Sequence, residues 1–249
     1  IPNDPNTQTI NLNTGTSVYF SALKLSPFSS PTSKTLFLGS QSGRLYKIEN
    51  VNSNPTTIEI GSDSFPTANI SSIDIGMNED EILVIFSNYG VSSIWMTFDG
   101  GNTWSEKEGN LPDMPVRWGI LHPDDSNFSL IATEIGVWKA SNLHGDNVTW
   151  IPSISGLANV RVDMLSMRSS DNMVLAASHG RGLFYGEFNA VTTQMGDLND
   201  DQSINILDII ILVNLILSNS PYNNLADINS DQDLDILDII LLVNMILGD

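Results

Sequence analysis

Asp197-Leu-Asn199-Asp-Asp201-Gln-Ser203-Ile-Asn205-Ile-Leu-Asp208 is followed, thirty residues on, by Asp227-Ile-Asn229-Ser-Asp231-Gln-Asp233-Leu-Asp235-Ile-Leu-Asp238. The two stretches are copies of one twelve-residue pattern. Positions one, three, five, nine and twelve carry side-chain oxygen in both, and position seven carries Ser203 or Asp233. That is the spacing with which an EF-hand type of loop surrounds calcium. Calcium is a hard cation that takes about six to eight oxygens, so carboxylates this close together become stable around it. The pattern predicts two calcium sites, with Asp197, Asn199, Asp201, Ser203, Asn205 and Asp208 in one and Asp227, Asn229, Asp231, Asp233, Asp235 and Asp238 in the other.

Each loop runs into an apolar segment, Ile206 to Leu217 and Ile236 to Leu247, broken by Asp208 and Asn214 or by Asp238 and Asn244. Both are too short and too interrupted to span a bilayer, and they read as buried helices. The segment before the first loop, Val191-Thr-Thr-Gln-Met-Gly196, is short and polar, so no helix is expected there. Loop then helix, twice over residues 195–249, resembles a type I dockerin module. The resemblance implies calcium as cofactor and a cohesin as protein partner. Two departures stand out. Loop position six is Gln202 and Gln232 where the family has Gly, although a left-handed backbone there costs a non-Gly residue roughly 1–2 kcal/mol. Where dockerins of cellulosomes often carry Ser-Thr to touch the cohesin, this chain has Ile206-Leu207 and Ile236-Leu237. An apolar pair predicts a hydrophobic contact surface, turned to a cohesin-like domain, to the chain's own larger part or to a neighbouring copy.

The 249-residue chain carries a formal charge of −19. Residues 195–249 hold ten Asp and no Lys or Arg, so the acidity is partly the signature of the calcium loops. Such a surface is repelled by nucleic acid and by anionic membranes. Cysteine is absent, which excludes disulfides, zinc–thiolate sites and a thiol nucleophile. Calcium loops in a Ser-, Thr- and Asn-rich chain favour a secreted or cell-surface setting, and a bacterial source is expected. Ile1-Pro-Asn-Asp-Pro is no signal peptide, so the chain is expected to begin after processing or inside a longer polypeptide. The sequons at Asn69, Asn127 and Asn147 are permissive only.

Residues 1–190 have few helix signals. Short apolar runs alternate with Gly, Asn, Asp, Ser and Pro turns, at a repeat of about 40–50 residues. Each unit opens with an alternating strand: Tyr19 to Leu25, Ile70 to Ile75, Val116 to Leu121 and Val160 to Leu165. A small-residue strand follows: Leu36 to Ser40, Ile82 to Ser87, Leu130 to Thr133 and Val174 to Ser178. A turn and an aromatic-bearing strand come third: Gly43 to Tyr46, Val91 to Trp95, Gly136 to Trp138 and Gly182 to Tyr185. Four such units predict four β-propeller blades. The fold class is therefore mainly β, with propeller blades over 1–190 and a small helical calcium module over 191–249.

Thr97-Phe-Asp99-Gly-Gly101-Asn-Thr103-Trp104 fits an Asp-box, in which Asp and Gly make a tight hairpin while Thr and Trp pin it to the blade. Asn147-Val-Thr149-Trp150 reads as a degenerate copy. Asp-boxes occur in sialidases, family 74 glycoside hydrolases and sortilin-type propellers, on the blade periphery. Thr97, Asp99, Gly101, Thr103 and Trp104 are accordingly structural. Together with Ser178-His-Gly-Arg-Gly-Leu-Phe184, these blades are similar to the last blades of large secreted Asp-box propellers that end in a sorting or dockerin-like module. Those propellers have more than four blades. The resemblance implies a C-terminal piece whose missing blades come from another chain, a cleaved partner or a neighbouring copy.

Catalytic chemistry finds little support. A sialidase needs an arginine triad, and the arginines here are Arg44, Arg117, Arg161, Arg168 and Arg181, with no Arg-Ile-Pro motif. Arg117 and Arg161 fall in first strands, where a buried ion pair with Glu134 or Asp163 is expected. A glycosidase needs two facing carboxylates. Asp74 and Asp163 fall on first strands of different blades, without a recognisable family context. His122, His144 and His179 lie in separate turns and form no triad or metal pattern. The recurring Trp and Tyr residues are expected in the core. The expected function is a non-catalytic extracellular scaffold, a rigid propeller attached through a calcium-dependent module. The alternative is part of a carbohydrate-active propeller anchored to a cohesin scaffold.

Overall fold

The computed structural model describes residues 18–61, 63–153, 157, 159–189, 195–198, 203–218 and 222–247. The chain divides into two units, 1–190 and 191–249. The first is all β. Its first sheet holds β1 (Phe20–Leu25), β2 (Leu36–Ser40), β3 (Leu45–Glu49) and β4 (Thr56–Ile60). The second holds β5 (Ile70–Ile75), β6 (Ile82–Phe86), β7 (Ile94–Thr97) and β8 (Ser105–Glu106). The third holds β9 (Val116–Leu121), β10 (Ser129–Thr133), β11 (Gly136–Ala140) and β12 (Ile151–Ser153). The fourth holds β13 (Val162–Arg168), β14 (Met173–Ser178) and β15 (Gly182–Glu187). Every sheet is an antiparallel meander in chain order. The first strands lie side by side, β1 on β5, β5 on β9 and β9 on β13. These are β-propeller blades.

A bulge recurs near the start of each first strand, skipping Ser21, Ser71, Arg117 and Asp163 in the pairing. The bulge turns that side chain out of the ladder and towards the next blade. Ser21 Oγ donates to the Ile70 carbonyl at 2.7 Å, and Ser71 Oγ donates to the Val116 carbonyl at 3.2 Å. Between blades, apolar faces close on each other. Phe37, Leu45, Ile70, Ile73 and Phe86 share one core, while Leu83, Ile94, Val116, Ile131 and Trp150 share the next. Gly39 allows this approach, because a Cβ there would stand 2.4 Å from Ile70 Cγ2.

Several sequence expectations change. The first strand of blade two does not alternate: β5 is buried at every position but Ser71, because blades cover both of its faces. Two third strands start later than expected, at Leu45 rather than Gly43 and at Ile94 rather than Val91, while the other two start at Gly136 and Gly182 as expected. The last first-strand runs on to Arg168. Tyr185 and Tyr19 are not core residues but 78% and 73% exposed, Tyr185 because its face of blade four has no blade on it.

In the second unit, α1 (Ile206–Leu217) and α2 (Ile236–Leu247) pack on each other. They are not buried helices. Only Asp208 and Leu212 of α1, and Asp238 and Leu242 of α2, are fully covered. Two twelve-residue helices and two loops cannot enclose more. Their core is Leu212, Ala226 and Leu242, flanked by the equivalent pairs Leu198 and Ile228, Ile204 and Leu234, and Ile209 and Ile239. The sequence repeat is thus also a structural one. Among the described residues no helix is long and apolar enough to cross a membrane.

Candidate calcium loops and the blade cleft

Each helix of the second unit starts from its loop through the same device. Asn205 caps α1, its side chain accepting from Leu207 N, and Asp208 reaches back to Asn205 N at 2.8 Å. Asp208 Oδ1 also accepts from Leu198 N at 2.8 Å. Asp238 repeats this on Asp235 N at 2.9 Å and Ile228 N at 2.8 Å, and Asp235 Oδ1 accepts from Leu237 N at 2.7 Å. Position twelve therefore ties the start of its loop to the start of its helix. Both carboxylates are 0% exposed.

The second loop is described in full. Asp227 Oδ1 accepts from Asp231 N at 3.1 Å and its Oδ2 from Gln232 N at 2.9 Å. Asn229 Oδ1 accepts from Asp231 N and Asp231 Oδ1 from Asp233 N. These turns wind the chain around Asp227, with Gln232 at φ 72° and Ser230 at φ 60°. Position six thus adopts the left-handed backbone without a glycine. Tyr222 donates to Asp227 Oδ2 at 2.7 Å. Burial pushes the Asp227 carboxyl up, but the Tyr222 hydroxyl and the amides of 230–232 outweigh it and hold it below the usual carboxylate range.

Of the first loop's predicted ligands, Asn199 and Asp201 lie outside the described residues, as does Gln202. Asp197, Ser203, Asn205 and Asp208 are placed, with Asp197 3% exposed. Among the described residues no three acidic or imidazole side chains stand together as a shell of their own. An EF-type shell also draws on amide, hydroxyl and main-chain oxygens. The donor set fits a hard cation on a separate ground. Asp227 and Asp238 are at most 1% exposed, and their carboxylates accept from main-chain amides and the Tyr222 hydroxyl, all neutral. Buried carboxylates without a counter-charge are costly.

The partner residues predicted from sequence are exposed. Ile206 and Leu207 are 63% and 52% accessible, and Ile236 and Leu237 are 66% and 50%. Ile210 and Ile240, one turn on, extend both patches.

In the first unit the inner strands line a cleft of about 740 Å³, with Lys24, Phe28, Asp74, Trp118 and Met167 on its walls. Asp74 is engaged: Lys24 Nζ stands 2.6 Å from Oδ1, and Leu121 N donates to Oδ2 at 2.8 Å. Asp163 is not among the cleft's lining residues and pairs with Arg161 at 2.6 Å and His179 at 3.2 Å. Arg117 pairs with Glu134. These pairs are part-exposed rather than buried. His179-Gly-Arg-Gly182 is a tight turn, with Gly180 and Gly182 at positive φ and Ser178 Oγ donating to the Gly182 carbonyl.

Around Asp99 the hydrogen bonds close on one carboxylate. Thr103 Oγ1 and N donate to it at 2.6 and 2.8 Å, and Thr97 Oγ1 at 2.8 Å. Led by the Thr103 hydroxyl, these bonds hold Asp99 down to about 2. Trp104 Nε1 donates to the Gly101 carbonyl, closing the hairpin on itself, and its ring meets Phe65 at 4.7 Å. The segment at 147–150 does something else. Trp150 Nε1 donates to the Lys107 carbonyl and Trp150 N to Asn110 Oδ1, both on the preceding blade. Trp150 is an interblade plug, not the anchor of a second hairpin of this kind.

Residues 195–247 match the family described as Dockerin type I domain. Domains of this family bind calcium, engage cohesin partners and occur in extracellular cellulosome components. No curated protein matches the chain. Among solved structures, it is similar to the β-propeller domain of Cps50 (Swd1) from Myceliophteria thermophila, at 12% identity and a TM-score of 0.51. That match covers 69% of this chain and 53% of the other, so the chain spans about half of that propeller domain. The GH74 enzyme of Niastella koreensis matches at 14% identity and a TM-score of 0.46, over 64% of this chain and 26% of the enzyme.

Proposed function

We propose that this chain is an extracellular propeller scaffold carried on a dockerin, which attaches it to a cohesin-like domain when both loops hold calcium. The duplicated patch supports this best: an apolar pair, equally exposed, at the same place in each loop–helix repeat. Apolar groups at half exposure on a small domain are what a partner covers. Calcium would sit among Asp197, Asn199, Asp201, Ser203, Asn205 and Asp208, and among Asp227, Asn229, Asp231, Asp233, Asp235 and Asp238. It supplies the positive charge that these loops lack. Asp208 and Asp238 fasten the start of each loop to the start of its helix and so orient the apolar pairs.

In this reading Thr97, Asp99, Gly101, Thr103 and Trp104 form an Asp-box that rigidifies blade two, and the domains divide at 190/191. Pull-down on immobilised type I cohesins tests the function. Binding is expected in calcium, lost in chelator, and lost in the quadruple variant Ile206→Ser, Leu207→Ser, Ile236→Ser, Leu237→Ser. Capture that ignores either change refutes it. A second reading, a carbohydrate-active propeller, draws on Trp118 and Phe28 in the cleft, where aromatic rings suit a sugar. Release of reducing ends from polysaccharide by the protein would favour it.

A further inference from the structure

At one end of the blades the first strands begin, the second strands end and the third strands start, so the bulge residues stand beside the turns there. Three of the chain's five arginines fall at this end of blades three and four. Arg117 is the bulge residue of β9, Arg161 directly precedes β13, and Arg181 lies in the turn between β14 and β15. Ser21 and Ser71, the bulge residues of blades one and two, reach the first carbonyl of the next blade's first strand. The same register sets Arg117 beside the start of β13. The His179 amide donates to the Arg161 carbonyl at 2.8 Å, which brings the turn of Arg181 to the same place.

The arginines differ in how their donors are used. Arg44 and Arg168 each close a two-pronged pair, Nε on one oxygen and Nη2 on the other, with Glu59 and Asp171. Such a fork is spent on its carboxylate. Among the described residues, Arg117 instead puts Nε and Nη2 on the single Oε1 of Glu134, Arg161 gives only Nε to Asp163, and Arg181 has no hydrogen bond or ion pair. A guanidinium carries five N–H donors, so all three have donors to spare. This end stays open even where blades flank it on both sides. In blade three the side chains of Arg117 and Glu134 are 27% and 24% exposed, and Ile135 in the adjoining turn is 44% exposed. Tyr89, in the corresponding turn of blade two, is 66% exposed. Neighbouring blades cover faces, not these turns.

We propose that this end of blades two to four binds an acidic peptide segment of a partner protein. The segment's carboxylates take the spare N–H groups of Arg117, Arg161 and Arg181, and its apolar side chains rest on Tyr89 and Ile135. Charge selects the occupant. A guanidinium presents parallel N–H groups that match the two oxygens of a carboxylate. Here three guanidinium groups stand against two carboxylates, Glu134 and Asp163. The chain as a whole carries a formal charge of −19, so the rest of its surface repels an acidic segment and confines it to this row. Glu134 and Asp163 hold Arg117 and Arg161 in position beforehand, which lowers the ordering cost of binding. Tyr and Arg are side chains on which protein contacts concentrate, and Ile135 offers no hydrogen bond to a saccharide's hydroxyls, so a peptide fits better than an acidic polysaccharide. The site lies wholly in the propeller unit and is independent of attachment through the dockerin.

The test is fluorescence anisotropy of a short fluorescein-labelled peptide of glutamates interrupted by leucines, titrated with the 249-residue chain in calcium. Saturable binding is expected, weakening as salt rises and absent for the same peptide with glutamine in place of glutamate. Arg181→Gln removes no hydrogen bond or ion pair among the described residues, so it reads binding and not folding. It and Arg161→Gln should each weaken the complex about tenfold, the worth of one charge-assisted hydrogen bond. Tyr89→Ser should weaken it as well. Arg44→Gln and Arg168→Gln, whose forks are already spent, should leave it unchanged. Ile206→Ser with Ile236→Ser should leave it unchanged too, so a failed cohesin pull-down does not touch this site. No binding, equal binding of the glutamine peptide, or full binding by Arg181→Gln overturns the proposal. Tighter binding of oligogalacturonate than of the peptide overturns it in favour of an acidic saccharide.

Discussion

Replacing Asp238 separates what its hydrogen bonds do from what its charge does. The carboxylate is 0% exposed and accepts from Ile228 N at 2.8 Å and Asp235 N at 2.9 Å. Asp238→Ala strands two amides, at about 1–3 kcal/mol each, so the module loses roughly 2–6 kcal/mol whether or not calcium is present. Asp238→Asn keeps one carbonyl acceptor and loses about half of that, but it removes a charged ligand. Calcium at a hundred times its Kd adds about 2.7 kcal/mol per site. The asparagine variant should therefore keep most of its stability in chelator while gaining only the first loop's increment when calcium returns. Far-UV circular dichroism at the helical minimum reads this through α1 and α2, the only helices among the described residues. The double variant Asp208→Ala, Asp238→Ala should lose the helical signal, as chelation of the unaltered protein should. An asparagine variant with the full calcium increment would refute the ligand role of Asp238. Helicity indifferent to chelator would refute the calcium reading altogether.

The other predictions concern single interactions. Gln232→Gly removes a left-handed backbone cost at φ 72° and should raise calcium affinity or the module's stability by up to about 1 kcal/mol, seen by calorimetric titration; an unchanged affinity and melting point would refute it. Tyr222 is the one tyrosine of residues 195–249, which hold no tryptophan, and it touches Asp227. Terbium bound in the second loop should luminesce on tyrosine excitation, and Tyr222→Phe should abolish that emission and weaken the site; persistence of the signal would place the ion elsewhere. Asp99→Ala removes the carboxylate that closes the hairpin and should cost the propeller about 1–3 kcal/mol at neutral pH. Because the folded Asp99 sits at about 2, its contribution is complete above the unfolded value of about 3.9 and fades as pH falls towards 2. The melting difference between the two proteins should shrink over that interval, and a pH-independent gap would refute the assignment.

The parts legible in sequence were those written in local spacing. The calcium loops repeat residue for residue, and a twelve-residue ligand pattern needs no tertiary context to be read. Inner and second strands announced themselves as apolar runs between turn residues, down to Leu36 and Ile82 as starting points. The outer strands did not. β4 is Thr-Thr-Ile-Glu-Ile and β8 is only Ser-Glu, and such polar or two-residue segments become strands because a neighbour offers its edge. Trp150 was misread for the same reason: Asn147-Val-Thr-Trp carries half of a local motif, but the indole's partner is Lys107 on another blade. The bulge hydroxyls that stitch blade to blade, Ser21 and Ser71, have no local signature at all.

The same distinction explains why the two units allow arguments of different strength. In the dockerin repeat, each functional residue is fixed by neighbours within about one loop, so Asp208 and Asp238 make the same bonds thirty residues apart. A propeller face has no such local sign, because its residues look alike whether or not a blade covers them. Leu23 and Ile73 are both aliphatic first-strand residues in the same register, and only exposure, 69% against 5%, tells them apart. That contrast is a property of the assembled blades rather than of either residue.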